Sequence, residues 1–124
     1  MMNNIKKLPD TEFEVMQAIW KCKPPVSRVQ IEEIIKDTHP MASTTLFTLL
    51  TRLSEKGFIR IEKINRSADY YPLITQEEYL ADQGNRFFKK LCQGNLSMFA
   101  NALCDSGLTK EEIVELKNLL GRDD

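Results

Sequence analysis

At 124 residues the chain is long enough for one domain, or for one small domain with an oligomerisation extension. Apolar residues make up 42% and charged residues 28%, an ordinary globular composition, and no apolar run approaches membrane-spanning length. A net charge of −1 and a pI near 5.9 exclude a wholesale nucleic-acid coat. Residues 1–7 lack the apolar core of a secretory signal, so a cytoplasmic protein that stays off the membrane is expected.

A first helix is predicted from Asp10, a good N-cap acceptor, to about Lys21, with Phe13, Met16 and Trp20 on one face and Val15 and Ile19 beside it. Lys23-Pro24-Pro25 breaks the chain. Ser27-Arg28-Val29-Gln30 has capping-box spacing and opens a second helix carrying Ile31, Ile34 and Ile35, which Asp37-Thr38-His39-Pro40 closes. From Ala42 onward, Leu46, Leu49, Leu50 and Leu53 fall at i, i+3, i+4 and i+7, one apolar stripe on a third helix. Its opposite side carries Thr44, Phe47, Thr48, Thr51 and Glu55. Lys56 and Gly57 end it, as a cation in the last turn and a left-handed residue after it should. An alternating strand over 58–64 follows, then a turn at Asn65-Arg66-Ser67-Ala68 and a returning strand over 69–73.

Beyond Leu73 the strand pattern stops. Thr75-Gln76-Glu77-Glu78 caps a helix that runs to Cys92, with Tyr79, Leu80, Phe87, Phe88 and Leu91 as its apolar positions. Asn95 caps another with Leu96, Phe99, Ala100 and Leu103. Thr109-Lys110-Glu111-Glu112 caps a last one with Ile113, Leu116 and Leu120, stopped at Gly121. Three short amphipathic helices do not easily bury their faces alone, whereas two copies packed together do. The expected organisation is mainly α with a small β-hairpin: a winged helix-turn-helix over 1–74 and a helical dimerisation region over 75–124. Leu80, Phe87, Phe88, Leu91, Phe99, Leu103, Ile113, Leu116 and Leu120 would be the dimerisation residues.

A buried leucine stripe, a small polar outer face and a basic hairpin suit a DNA groove. The charge is distributed accordingly. Residues 1–73 hold 11 Lys/Arg and 9 Asp/Glu, residues 74–124 hold 6 and 9, and the stretch 48–66 carries five basic residues against two acidic ones. Basic local charge on an acidic whole fits binding to chosen DNA sites, although charge alone reads more often as a solvated surface. Cys22, Cys92 and Cys104 are far apart, form no metal-ligand pair and read as buried free thiols in a reducing compartment. No metal and no cofactor is expected. With one histidine, His39, in a turn, and no nucleophile constellation or phosphate loop, the chain does not read as an enzyme.

Taken in order, several motifs resemble the penicillinase-repressor family, bacterial winged-helix repressors of the BlaI/MecI/CopY type, over nearly the whole chain. Glu12-Phe13-Glu14-Val15-Met16 with Ile19-Trp20 is similar to the family's first helix. Thr48-Leu49-Leu50-Thr51-Arg52-Leu53 followed by Lys56-Gly57 resembles its recognition helix and stop. Asn65-Arg66 and Tyr71-Pro72 sit where its wing lies. Glu77-Glu78-Tyr79, Phe87-Phe88 and the stretch 108–120 follow its C-terminal pattern. The resemblance implies a homodimeric repressor on a dyad operator near antibiotic-resistance or metal-homeostasis genes. It also implies release through a membrane sensor protease system that cleaves in the dimerisation region. Asn101-Ala102 aligns with that cleavage position, with a small residue where a bulky apolar one is usual, and the plainer reading as ordinary helix carries more weight. The copper-responsive branch ends in a cysteine motif, whereas this chain ends Gly121-Arg122-Asp123-Asp124, which disfavours copper sensing.

The recognition helix departs from the family, placing Thr44 and Phe47 where basic residues are frequent. The base-reading set is then Thr44, Thr45, Phe47 and Thr48, whose methyls and ring can meet thymine methyls, so an operator with readable A·T positions is expected. Arg52, Lys56, Lys63 and Arg66 are the expected phosphate contacts, with Arg66 balanced between that role and a solvated turn. Two alternatives stand beside this reading. One is a winged-helix regulator with a ligand among Tyr79, Phe87, Phe88 and Phe99. The other is a protein–protein adaptor that uses the winged helix without DNA.

Overall fold

The computed structural model describes residues 5–120, except the side chain of Leu120. That side chain, the stop at Gly121 and the closing residues of the chain lie outside the described residues. The elements run α1 (Asp10–Trp20), β1 (Val26–Ser27), α2 (Arg28–Ile35), α3 (Ser43–Glu55), β2 (Ile59–Ile64), β3 (Ser67–Pro72), α4 (Gln76–Lys90), α5 (Leu96–Asp105) and α6 (Lys110–Leu120). The strands form one antiparallel sheet in the order β1-β3-β2. The chain divides into two compact units, 1–82 and 83–124.

Most helix boundaries follow the capping chemistry. Ser27 and Gln30 bond reciprocally, Gln30 N–H donating to Ser27 Oγ at 3.2 Å and Ser27 N–H to Gln30 Oε1 at 2.9 Å. Thr75 with Glu78 and Thr109 with Glu112 repeat the pattern, and Asn95 Oδ1 accepts from Met98 N–H at 3.0 Å. Helix α1 starts differently from expectation. Pro9 is its N-cap and Asp10 its first helical residue, with no side-chain cap bond; Asp10 and Glu12 instead put negative charge in the first turn, where the helix dipole favours it.

Two details of the sheet also differ. Asn65 adopts φ +58°, which closes the wing turn within Asn65 and Arg66, so Ser67 and Ala68 belong to the returning strand and not to the turn. The expected hairpin is joined by a third strand: Val26 pairs with Tyr70 and Ser27 with Asp69. A two-residue strand behind a double proline has no periodicity to announce it.

The leucine stripe of α3 is buried as a unit. Leu46, Leu49, Leu50 and Leu53 meet Val15, Met16 and Ile19 of α1, Ile31 and Ile35 of α2, and Phe58 and Ile59 behind. Each such side chain contributes roughly 1.5–3 kcal/mol on removal from water. The first unit ends later than the sequence division at 74/75 because the opening turns of α4 join this core. The Tyr79 hydroxyl accepts a 2.9 Å bond from Leu8 N–H, and its ring lies within 5.5–5.9 Å of the rings of Phe13, Trp20 and Phe58. Trp20 Nε1 donates to the Ile74 carbonyl at 2.9 Å. Tyr79 is thus a core residue of the first unit.

In the second unit, Phe99 packs edge-on to Phe87 and Phe88 at 5.9 and 5.5 Å. Cys92 is its only fully buried side chain among the described residues, while Phe87, Leu91, Leu96, Met98, Val114 and Leu119 stay substantially exposed. All three thiols are free, but Cys104 is exposed on α5 and Cys22 half-buried, so the expectation of three buried thiols holds only for Cys92.

One charged pair is built into the first core. Lys56 Nζ lies 2.5 Å from Glu12 Oε1, with side chains 25% and 4% exposed. Removing one partner leaves the other charge in a poor solvent. Lys56→Met is expected to destabilise the fold by about 2–4 kcal/mol in chemical denaturation. The double change with Glu12→Gln should cost less than the sum of the single changes.

Burial pushes the phenol of Tyr70 above its ordinary value near 10, with the Arg28 charge acting the other way. The unfolded chain releases this proton near pH 10 while the folded one still holds it. Its contribution to stability is therefore complete below about pH 10 and is lost as pH rises toward the folded value. Alkaline melts should show this decline in the wild type and a shallower one in Tyr70→Phe.

Candidate nucleic-acid interface

Helix α3 shows two faces set by its period. With the leucines inward, Thr44, Thr45, Phe47 and Thr48 are all exposed along its first two turns. Thr48 Oγ1 donates to the Thr44 carbonyl at 3.1 Å and Thr51 Oγ1 to the Phe47 carbonyl at 3.0 Å. With its proton spent on the helix, each hydroxyl offers outward only lone pairs, beside a methyl group. Such a surface accepts from an exocyclic amine and touches apolar base substituents. Thr44 and Thr45 show no such bond and keep both capacities.

The four expected phosphate contacts are not alike. Arg52, Lys63 and Arg66 are exposed and form no salt bridge among the described residues. Lys56 is different: its ammonium is drawn inward to Glu12, and it serves as the structural anchor of the end of α3 instead of a free cation. Arg60 is also neutralised, paired to Glu62 and lying over the Tyr71 ring at 4.2 Å. Of the five basic residues in 48–66, three therefore carry uncompensated charge.

A fourth interface cation was missed in the sequence. An open cleft of about 390 Å³ lies between the start of α2, Phe47 of α3 and the wing, lined by Ser27, Arg28, Val29, Phe47, Lys63 and Arg66 among others. Arg28 is the first residue of α2, its Nε 3.6 Å from Glu32 Oε2, and the same oxygen accepts from Ser43 Oγ at 3.3 Å at the start of α3. Glu32 therefore ties Arg28 to the beginning of the recognition helix. The capping box around Ser27 located Arg28 on a helix start, where backbone N–H groups and helix dipole favour an anion. Only the fold places it beside Lys63 and Arg66.

The remaining positions lie elsewhere. Leu80, Phe87 and Leu91 are exposed on α4; Phe88, Phe99, Leu103, Ile113 and Leu116 are half-buried. Asn101 and Ala102 are exposed in the middle of α5. Among the described residues, no three His, Cys, Asp or Glu side chains gather as metal ligands, and no helix is long and apolar enough to cross a membrane.

Comparison with known proteins gives this geometry a family. The chain is 34% identical over 125 residues to the methicillin resistance regulatory protein MecI of Staphylococcus aureus, covering 98% of this chain and 99% of that protein. It is 34% identical over 123 residues to the penicillinase repressor of Bacillus licheniformis, covering 96% and 93%. In structure it is similar to the monomeric form of Bacillus licheniformis BlaI in complex with the blaP half-operator. The TM-score there is 0.51 and the identity 31%, over 63% of this chain and 94% of that one. These likenesses bear out the winged helix-turn-helix. The model of the penicillinase repressor family matches residues 8–122, and the chain belongs to that family.

Proposed function

We propose that this protein is a DNA-binding transcriptional repressor of antibiotic-resistance genes that acts as a homodimer on a dyad operator. The observation that carries the reading is the exposed, cation-flanked surface around α3. Four exposed residues, Thr44, Thr45, Phe47 and Thr48, share α3 with the exposed Arg52, and the cations Arg28, Lys63 and Arg66 line the cleft beside Phe47. The cations would hold phosphates and fix register, while the helix face reads base edges. With its proton committed, Thr48 would accept from adenine N6 or cytosine N4. Lys56 leaves the phosphate-contacting set. The work is binding and release, with no chemistry at a catalytic centre, in the compartment that holds the DNA, the cytoplasm.

The second unit supports a dimer by what it leaves uncovered. Leu91, 62% exposed, and the rings around Phe99 have too little core of their own, and a second copy would bury them. Release by proteolysis or by a partner signal fits the same region. The 101–102 bond is exposed but helical, and a protease takes extended chain, so cutting there needs local opening of α5.

Footprinting on the DNA upstream of the protein's own gene should show a protected dyad, its half-sites one or two helical turns apart. Arg52→Ala should weaken protection and lower the slope of log affinity against log salt by about 0.9. No protection at low salt would turn the reading to the adaptor. In sedimentation, the wild type should run as a dimer and Leu91→Asp as a monomer that protects the operator only at higher concentration. A dimeric Leu91→Asp would remove that face from the interface.

A further inference from the structure

Two large apolar side chains stand in water at the interface itself. Val29 of α2 is 63% exposed and Phe47 of α3 is 52% exposed, and both line the cleft beside the wing. Neither contributes to the core cluster, which is complete without them. Arg28, Lys63 and Arg66 rim the same cleft, and no acidic side chain among the described residues lines it. Apolar walls inside a cationic rim are the complement of one particular surface: a phosphate-flanked groove that carries an apolar substituent. In the major groove of duplex DNA that substituent is the C5 methyl of thymine.

We propose that Val29 and Phe47 together grip a thymine methyl, so that the repressor selects thymine at one or two positions of each half-site by that methyl and not by a hydrogen-bonding pattern. This rests on the DNA-binding reading above and deepens it. Phe47 supplies the wall from the recognition helix and Val29 the wall from the preceding helix, while the three cations hold the flanking phosphates. Glu32 keeps the two walls in register, since it contacts Arg28 next to Val29 and Ser43 at the start of α3. Selection by a methyl has a chemical signature. Deoxyuridine keeps every hydrogen-bonding group of thymidine and lacks only the methyl, so it would be rejected where the clamp closes and tolerated elsewhere.

The test uses the full chain and a footprinted operator in which each thymine is replaced singly by deoxyuridine. At one or two positions per half-site, wild-type affinity should fall about four- to tenfold, the effect of losing one buried methyl contact. Phe47→Ala and Val29→Ala should bind thymine and uracil equally at those positions. Both side chains are exposed, so the variants keep the fold, which their melting temperatures verify. Tolerance of deoxyuridine everywhere, with operator binding intact, would overturn the methyl clamp and leave the repressor reading standing. Uracil sensitivity that persists in both variants would assign the contact to the threonine methyls and likewise overturn it. Failure to bind any duplex would take down the repressor reading itself.

Discussion

The turn at residues 53–58 is where a helix that must face outward is fastened to a core that must face inward. Gly57, at φ +82°, lets Gly57 N–H reach the Ser54 carbonyl at 3.1 Å and Phe58 N–H reach the Leu53 carbonyl at 2.9 Å. The second of these bonds delivers Phe58, fully buried, directly under Tyr79. The Phe58 carbonyl then accepts from Leu73 N–H at 2.8 Å, so the same residue fixes the far end of the wing. Lys56, one residue earlier, is tied to Glu12 of α1. Within three residues the recognition helix is pinned to the first helix, to the aromatic core and to the sheet. The angle between helix and wing, and with it the shape of the interface, follows from this turn.

That arrangement also sorts the charges. A cation at the C-terminal end of α3 complements the helix dipole, and here it also neutralises a buried carboxylate, so it is spent on the fold. Arg60 is spent on Glu62 and the Tyr71 ring. What remains without an acidic partner among the described residues is Arg52, Lys63 and Arg66, while Arg28, beside the last two in the cleft, is shared with Glu32. The long-range field of an acidic chain is weak, so attraction to DNA has to come from this local geometry.

Much of this was legible in the residues because the signals were local. The leucine period named the buried face of α3, and capping pairs named the starts of α2, α4, α5 and α6. The features that escaped depend on non-local contact. β1 is two residues long and exists only because β3 passes beside it. The role of Lys56 depends on Glu12, 44 positions away, and that of Arg28 on a wing that folds against its helix start. Tyr79 had the spacing of an amphipathic helix, but its hydroxyl bond to Leu8 assigns it to the opposite end of the sequence. Position along a helix can be counted from the sequence, whereas the partner across a core cannot.

If two copies pair as proposed, the thin core of the second unit would tie its folding to how many copies of the chain are present. With Cys92 alone buried among the described residues and so much apolar surface left in water, these helices have little core of their own to draw on, and in the proposed dimer association would supply the rest by mass action. Falling repressor concentration would then loosen α5 along with the dimer. The pool that has left the operator would be the pool most open to proteolysis. Dilution and degradation would act in the same direction, giving the switch a sharper off-state than binding affinity alone provides.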